Sequence, residues 1–240
     1  MTLHLQRSAA DAVKLKRLQS RIRGCTKCVG AGYLDAAAPV VAGAITDCVM
    51  IVGEAPGIVE LTTRMPFSGR AGAELRRWLA RAGIDDQHLP YRTAITKCFP
   101  GKAPGGVGDR RPSPPEIALC APWLEAELAL VRPEVVLLVG TLAIERLWGK
   151  APLSDVVGRS KRSPALHDAL LIPLPHPSGA SRWLNDPSHR ALLDAALQIL
   201  RREIEALEPR AEGDRRPPLR PSSRELDGHG HRVADDVEHR

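Results

Sequence analysis

Met50-Ile-Val-Gly-Glu-Ala-Pro-Gly57, followed eight residues on by Met65-Pro-Phe-Ser-Gly-Arg-Ala-Gly72, sets an apolar run against two glycine-rich turns. Val49 to Val52 reads as a buried strand of a parallel sheet. Gly53, Pro56 and Gly57 then force a tight turn at its carboxyl end, where open α/β sheets bind ligands. Glu54 places a carboxylate inside that turn. Gly69 to Gly72 lets backbone approach a ligand closely, and a helix from about Gly69 to Arg81 follows, its N-terminus aimed to attract an anion. A plain strand-turn-helix connection also accounts for this stretch taken alone.

Outward from it, the same alternation recurs. Tyr91 to Lys97 reads as a second strand, Glu134 to Gly140 as a third and Ala169 to Leu174 as a fourth. Helices are expected over 8–23, with Val13, Leu15, Leu18 and Ile22 on one face, over 113–131 from a Ser113/Glu116 capping box, over 141–148 and over 188–207. Phe99 to Pro115 holds five Pro and four Gly in seventeen residues, which leaves only loop. Strands alternating with helices predict a three-layer α/β/α domain around a four-stranded parallel sheet. That single domain spans 1–207, and 208–240, without periodicity, reads as a disordered tail.

The chain has 240 residues, 43% hydrophobic, and a net charge of +6. The tail holds seven Arg against eight acidic residues, so the remainder carries +7, which suits a nucleic-acid partner. No apolar run nears the ~20 residues of a membrane span, and the N-terminus has no apolar signal region. An intracellular, cytoplasmic protein is the expectation. Five cysteines in a reducing compartment point to metal ligands or buried thiols. Cys25-Thr-Lys-Cys28 is a two-residue-spaced pair, and Cys98 and Cys120 can complete four ligands. Four thiolates suit zinc or an iron–sulfur cluster alike, and a redox pair is a further reading of Cys25 and Cys28. Cys48, opening an apolar strand, is assigned to the core.

Taken together and in this order, Cys25-Thr-Lys-Cys28, Gly53-Glu-Ala-Pro-Gly57, Pro66-Phe-Ser-Gly-Arg-Ala-Gly72, Lys97-Cys98, Pro112-Ser-Pro-Pro-Glu116 with Cys120, Val139-Gly140 and His176-Pro-Ser178 resemble the uracil-DNA glycosylase superfamily. The likeness is chiefly to its iron–sulfur family 4 and partly to family 5, and spans residues 20–205. It implies a [4Fe-4S] cluster on Cys25, Cys28, Cys98 and Cys120, with zinc as the alternative. It implies a monomeric enzyme that flips uracil or a related deaminated base out of DNA, associates with the nucleoid, and hydrolyses the N-glycosidic bond. Glu54 and His176 would be catalytic, and Gly53, Ala55, Phe67 and Ala94 would hold the base. Arg70, Ser178, Ser181, Arg182 and Trp183 would grip DNA, with Arg182, Trp183 and Leu184 as a wedge. Lys97, Lys102, Arg110 and Arg111 are candidate backbone contacts.

The chemistry agrees with these residue types. Phe67 offers a face for a stacked base, and His176 a donor toward negative charge on the departing base. Two departures stand out. Ala94 occupies the position where family 4 carries a base-reading Asn, so either backbone groups or Thr96 read the base in its place or other deaminated bases are accepted beside uracil. The Gly101–Arg111 loop exceeds the family's usual cysteine spacing. Two other readings stand beside the enzyme: a non-catalytic DNA-binding protein of the same fold, and a nucleotide-binding α/β protein. The latter lacks both G-x-G-x-x-G and a P-loop.

Overall fold

The computed structural model describes residues 8–87, 89–178 and 182–207. The expected tail and Ser181 fall outside them. Five strands form one sheet: β1 (Val49–Gly53), β2 (Tyr91–Ala94), β3 (Val135–Val139), β4 (Lys161–Ser163) and β5 (Ala169–Leu174), in the order β2-β1-β3-β5-β4. The four expected strands are all present and parallel. The sheet has five strands rather than four, because short β4 adds an antiparallel edge against Ala169–Leu171. Its exposed, charged Lys161 and Arg162 gave no apolar signal in the sequence. Pro173 lies within β5, opposite Leu138. That position is past the reach of β4, where a missing N–H costs no ladder bond on that side.

Helices cover both faces of the sheet. They are α1 (Ala9–Arg23), α2 (Lys27–Gly30), α3 (Ile58–Thr63), α4 (Arg70–Arg81), α5 (Pro114–Val131), α6 (Thr141–Leu147), α7 (Leu153–Val156) and α8 (Pro187–Leu207). Strand alternation sorts the core. Met50, Val52, Val136 and Leu138 pack with Leu15, Leu18 and Ile22 of α1 and Leu124 and Leu128 of α5. Ile51, Val135, Leu137 and Ile172 pack with Leu75, Trp78 and Leu79 of α4 and Leu193, Leu197 and Leu200 of α8. Each such side chain contributes roughly 1.5–3 kcal/mol on burial. In α1 the inward face is Leu15, Leu18, Gln19 and Ile22, whereas Val13 is exposed.

β2 ends at Ala94, three residues short of the expected Lys97. The edge of β2 is covered by an irregular segment: Ala42 pairs with Arg92, and the Val40 amide donates to the Lys97 carbonyl at 2.8 Å. The proline- and glycine-rich loop is indeed irregular, folded back on itself by a single bridge between Lys102 and Asp109. Ser113 and Glu116 form the expected capping box of α5.

Candidate functional site

The carboxyl ends of β1, β2, β3 and β5 share one edge, and the base-binding and catalytic candidates gather there. Phe67 lies across Gly53: a β-carbon at Gly53 would sit 2.8 Å from the Phe67 Cζ. Phe67 adopts φ 56, a left-handed backbone rare for a bulky residue. Three neighbours hold it. Arg76 Nη1 donates to its carbonyl at 3.1 Å. Gly72 passes so close that a β-carbon there would lie 1.8 Å from that carbonyl oxygen. Glu60, only 7% exposed, accepts from the amides of Ser68 and Gly69 through Oε1 (2.9 and 3.0 Å) and from the Gly57 amide through Oε2 (3.0 Å). Glu60 thus ties both glycine turns together. Sequence reasoning missed it, although its place three residues after Gly57 at a helix start was a usable signal.

Glu54 leaves β1 and caps a different element. Its Oε1 accepts from the Leu142 amide (3.0 Å) and the Thr141 hydroxyl (3.2 Å) at the N-terminus of α6. Gly140 makes room for it, with φ +91 and a position where a β-carbon would lie 2.5 Å from Oε1. Among the described residues Glu54 Oε2 accepts no hydrogen bond. The Gly140 amide donates to the Leu174 carbonyl at 3.0 Å, and His176 follows two residues later. The Ser178 amide donates to His176 Nδ1 at 3.2 Å. This leaves Nε2 as the protonated, donating nitrogen of the neutral ring. Ala94 is opposite Gly53 in the β1–β2 register, its side chain a single buried methyl. Ala55 continues the same turn.

The metal-ligand candidates also come together. Cys25, Cys28, Cys98 and Cys120 line one cavity, with Thr96, Lys97 and Glu116 in its wall. Among the described residues, no three His, Cys, Asp or Glu are gathered so as to hold a single metal ion. Donors reach the sulfurs: Trp123 Nε1 to Cys25 Sγ and the Lys97 amide to Cys120 Sγ, each at 3.3 Å, and a backbone bond from Ala38 to Cys98. Burial pushes the Cys98 thiol up to about 12 and raises Cys28 and Cys120, and neighbouring sulfurs raise each further. Such a cavity favours anionic sulfur only when positive charge joins it. Arg110 grips Glu116 with two bonds of 2.7 Å. Burial alone would raise the Glu116 carboxyl, yet Arg110 and Ser113 together hold it at about 2. Cys48 is half-buried rather than core, and its thiol donates to the Thr46 carbonyl at 3.7 Å.

Several expected DNA contacts are committed elsewhere. Lys97 is 1% exposed and pairs with fully buried Glu127 at 2.7 Å. It also donates to Thr93 Oγ1 (2.7 Å) and the Ala94 carbonyl (2.6 Å), so it is a structural cation and cannot meet a phosphate. The surrounding apolar strands had given no sign of this pairing with α5. Arg110 serves Glu116, Arg111 pairs with Glu145, and Lys102 with Asp109. Arg70 and Arg182 are exposed, and neither has an ion-pair partner among the described residues. Trp183 and Leu184 are half-buried against the core rather than projecting as a wedge, and Trp183 stacks on His189 at 4.2 Å. Ser178 is half-buried beside His176.

A mostly parallel sheet flanked by helices, with an aromatic ring and a carboxylate at its carboxyl edge and a separate four-cysteine cavity, defines a layered α/β protein with two candidate sites. The sequence places the chain within that class: it belongs to the uracil DNA glycosylase superfamily, whose family model matches residues 42–201. A type-4 uracil-DNA glycosylase of Thermotoga maritima is 29% identical over 187 residues, covering 74% of this chain and 88% of the relative. One from Pyrobaculum aerophilum is 32% identical, covering 60% and 72%. A type-5 uracil-DNA glycosylase of Thermus thermophilus is 36% identical over a shorter stretch, 41% and 48%. No helix among the described residues is long and apolar enough to cross a membrane.

Proposed function

We propose that residues 1–207 are a DNA glycosylase domain that flips uracil or a related deaminated base from DNA and hydrolyses its N-glycosidic bond, with 208–240 an appended tail. The observation that carries this is Phe67 laid on Gly53, one residue from Glu54, at the sheet edge of a chain of this family. A flipped base stacks on Phe67, walled by Gly53, Ala55 and Ala94. As the bond to the sugar breaks, positive charge grows on the sugar and negative charge on the base. His176 Nε2–H donates to the base's carbonyl oxygen, and Glu54 Oε2 stabilises the sugar or orients the attacking water. Water adds its oxygen to the sugar carbon and the departing base takes up a proton. Arg70, Ser178, Ser181 and Arg182 hold the DNA around the gap, with Trp183, next to Arg182 and stacked on His189, as support. With a methyl at Ala94, no side chain reads the base edge there, so related deaminated bases are accepted beside uracil.

Cys25, Cys28, Cys98 and Cys120 fit a [4Fe-4S] cluster. Four sulfurs surround a cavity rather than a point, and three receive N–H donors. When bound, the cluster supplies a structural clamp, tying the segment after α1 to α5 and to the end of β2. The protein acts on DNA as a cytoplasmic monomer. The test is a panel of uracil-, hypoxanthine- and xanthine-containing oligonucleotides, single- and double-stranded, with iron and sulfide assayed on the same sample. Release of uracil by an iron-loaded protein is expected. Binding without release from any substrate would favour the non-catalytic reading, and stoichiometric zinc without iron would overturn the cluster.

A further inference from the structure

Ile95-Thr96-Lys97 is a three-residue strip that touches both sites. The Ile95 and Thr96 amides donate to the carbonyls of Gly53 (2.9 Å) and Glu54 (3.2 Å). The Lys97 amide donates to Cys120 Sγ. Thr96 itself lines the cysteine cavity. It is 5% exposed, and its Oγ1 is buried with no hydrogen-bond partner. Arg92 Nε is the other such side-chain atom among the described residues, and Arg92 does not line the cavity. An unbonded hydroxyl in an enclosed site is destabilising, and a valine of the same shape would avoid that cost. The neighbouring cation cannot relieve it, because Lys97 Nζ is spent on Glu127, Thr93 and Ala94.

The geometry points to Thr96 as a positioning residue whose hydroxyl donates to the sulfur-bound group in this cavity. It would add an O–H to the N–H donors that already reach the cysteine sulfurs. This rests on the cluster reading above. Hydrogen bonds to cluster sulfurs stabilise the more negative, reduced form, and so raise the reduction potential. Thr96 therefore sets the potential of the group and its resistance to oxidative loss, while its backbone amide holds the Glu54 turn.

The experiment compares the reconstituted full chain with Thr96→Val and Thr96→Ser. The readouts are iron and acid-labile sulfide content, midpoint potential by protein-film voltammetry, and the rate of visible bleaching in air. Thr96→Val is expected to have a more negative potential and faster bleaching, with Thr96→Ser restoring both toward the parent. Loss of iron in Thr96→Val but not in Thr96→Ser supports the same role. A parent and a Thr96→Val of equal potential and equal bleaching would overturn it, leaving the cluster reading intact. A parent that holds no iron removes the cluster reading instead.

Discussion

The Cζ edge of the Phe67 ring points at Gly53, filling the space a side chain there would need. The contact fixes the height of the aromatic plate above the end of β1. Because the obstruction is the far end of a side chain, Gly53→Ala is expected to fold, with a stability loss of about 1 kcal/mol from repacking. The displaced ring would no longer meet the flipped base. Uracil release should fall at least tenfold while the melting temperature moves by a few degrees; an unchanged rate would detach Phe67 from the reaction.

Gly140 is a harsher position. A side chain there is strained by φ +91 and collides with the Glu54 carboxylate. Gly140→Ala is expected to cost about 1–3 kcal/mol and to dislodge Glu54 from the start of α6. Glu54→Gln keeps the shape and both acceptor contacts through its amide oxygen. Chemical denaturation should therefore find Glu54→Gln near parental stability and Gly140→Ala well below it, while both lose excision activity.

His176 is positioned by the Ser178 amide to donate from Nε2. Replacing His176 with Ala is expected to lower kcat about 10²–10³-fold, the scale for removing one donor from developing negative charge. Binding of uracil-containing DNA should stay within a few fold, which fluorescence anisotropy can check. Equal losses in binding and in kcat would mean that the imidazole holds substrate rather than the transition state.

The buried Lys97–Glu127 pair, with Tyr91 and Thr93 both donating to the carboxylate at 3.0 Å, makes a different prediction. Lys97→Met strands a buried charge and is expected to cost about 3–5 kcal/mol. Adding Glu127→Gln removes that charge, and the double variant should be more stable than Lys97→Met alone by urea unfolding. Little loss in the single variant would show that the pair is solvated.

The four main strands were legible because each is a short, almost wholly apolar run closed by Gly, Pro or a polar turn. The edge strand β4 was not, since it is three residues long and its Lys161 and Arg162 are exposed, with no apolar run to mark it. Four cysteines could be counted, but only their meeting in one cavity distinguishes a common site from scattered thiols. The six cations nominated for DNA contact look alike in sequence. Folding buries Lys97 and occupies Lys102, Arg110 and Arg111 with Asp109, Glu116 and Glu145, leaving Arg70 and Arg182 exposed.

By itself the sequence determined the layered α/β architecture, the turns that end β1 and open α4, and the residue types available for chemistry, because strand pattern, glycine and capping are local properties. Only the tertiary structure decided that Glu54 caps α6, that Glu60 joins the two turns, that Trp183 stacks on His189, and that Thr96 lines the cysteine cavity and carries a buried hydroxyl unbonded among the described residues. Those outcomes depend on which carboxylates, amides and rings meet across separations of up to about ninety residues. No local pattern encodes such encounters.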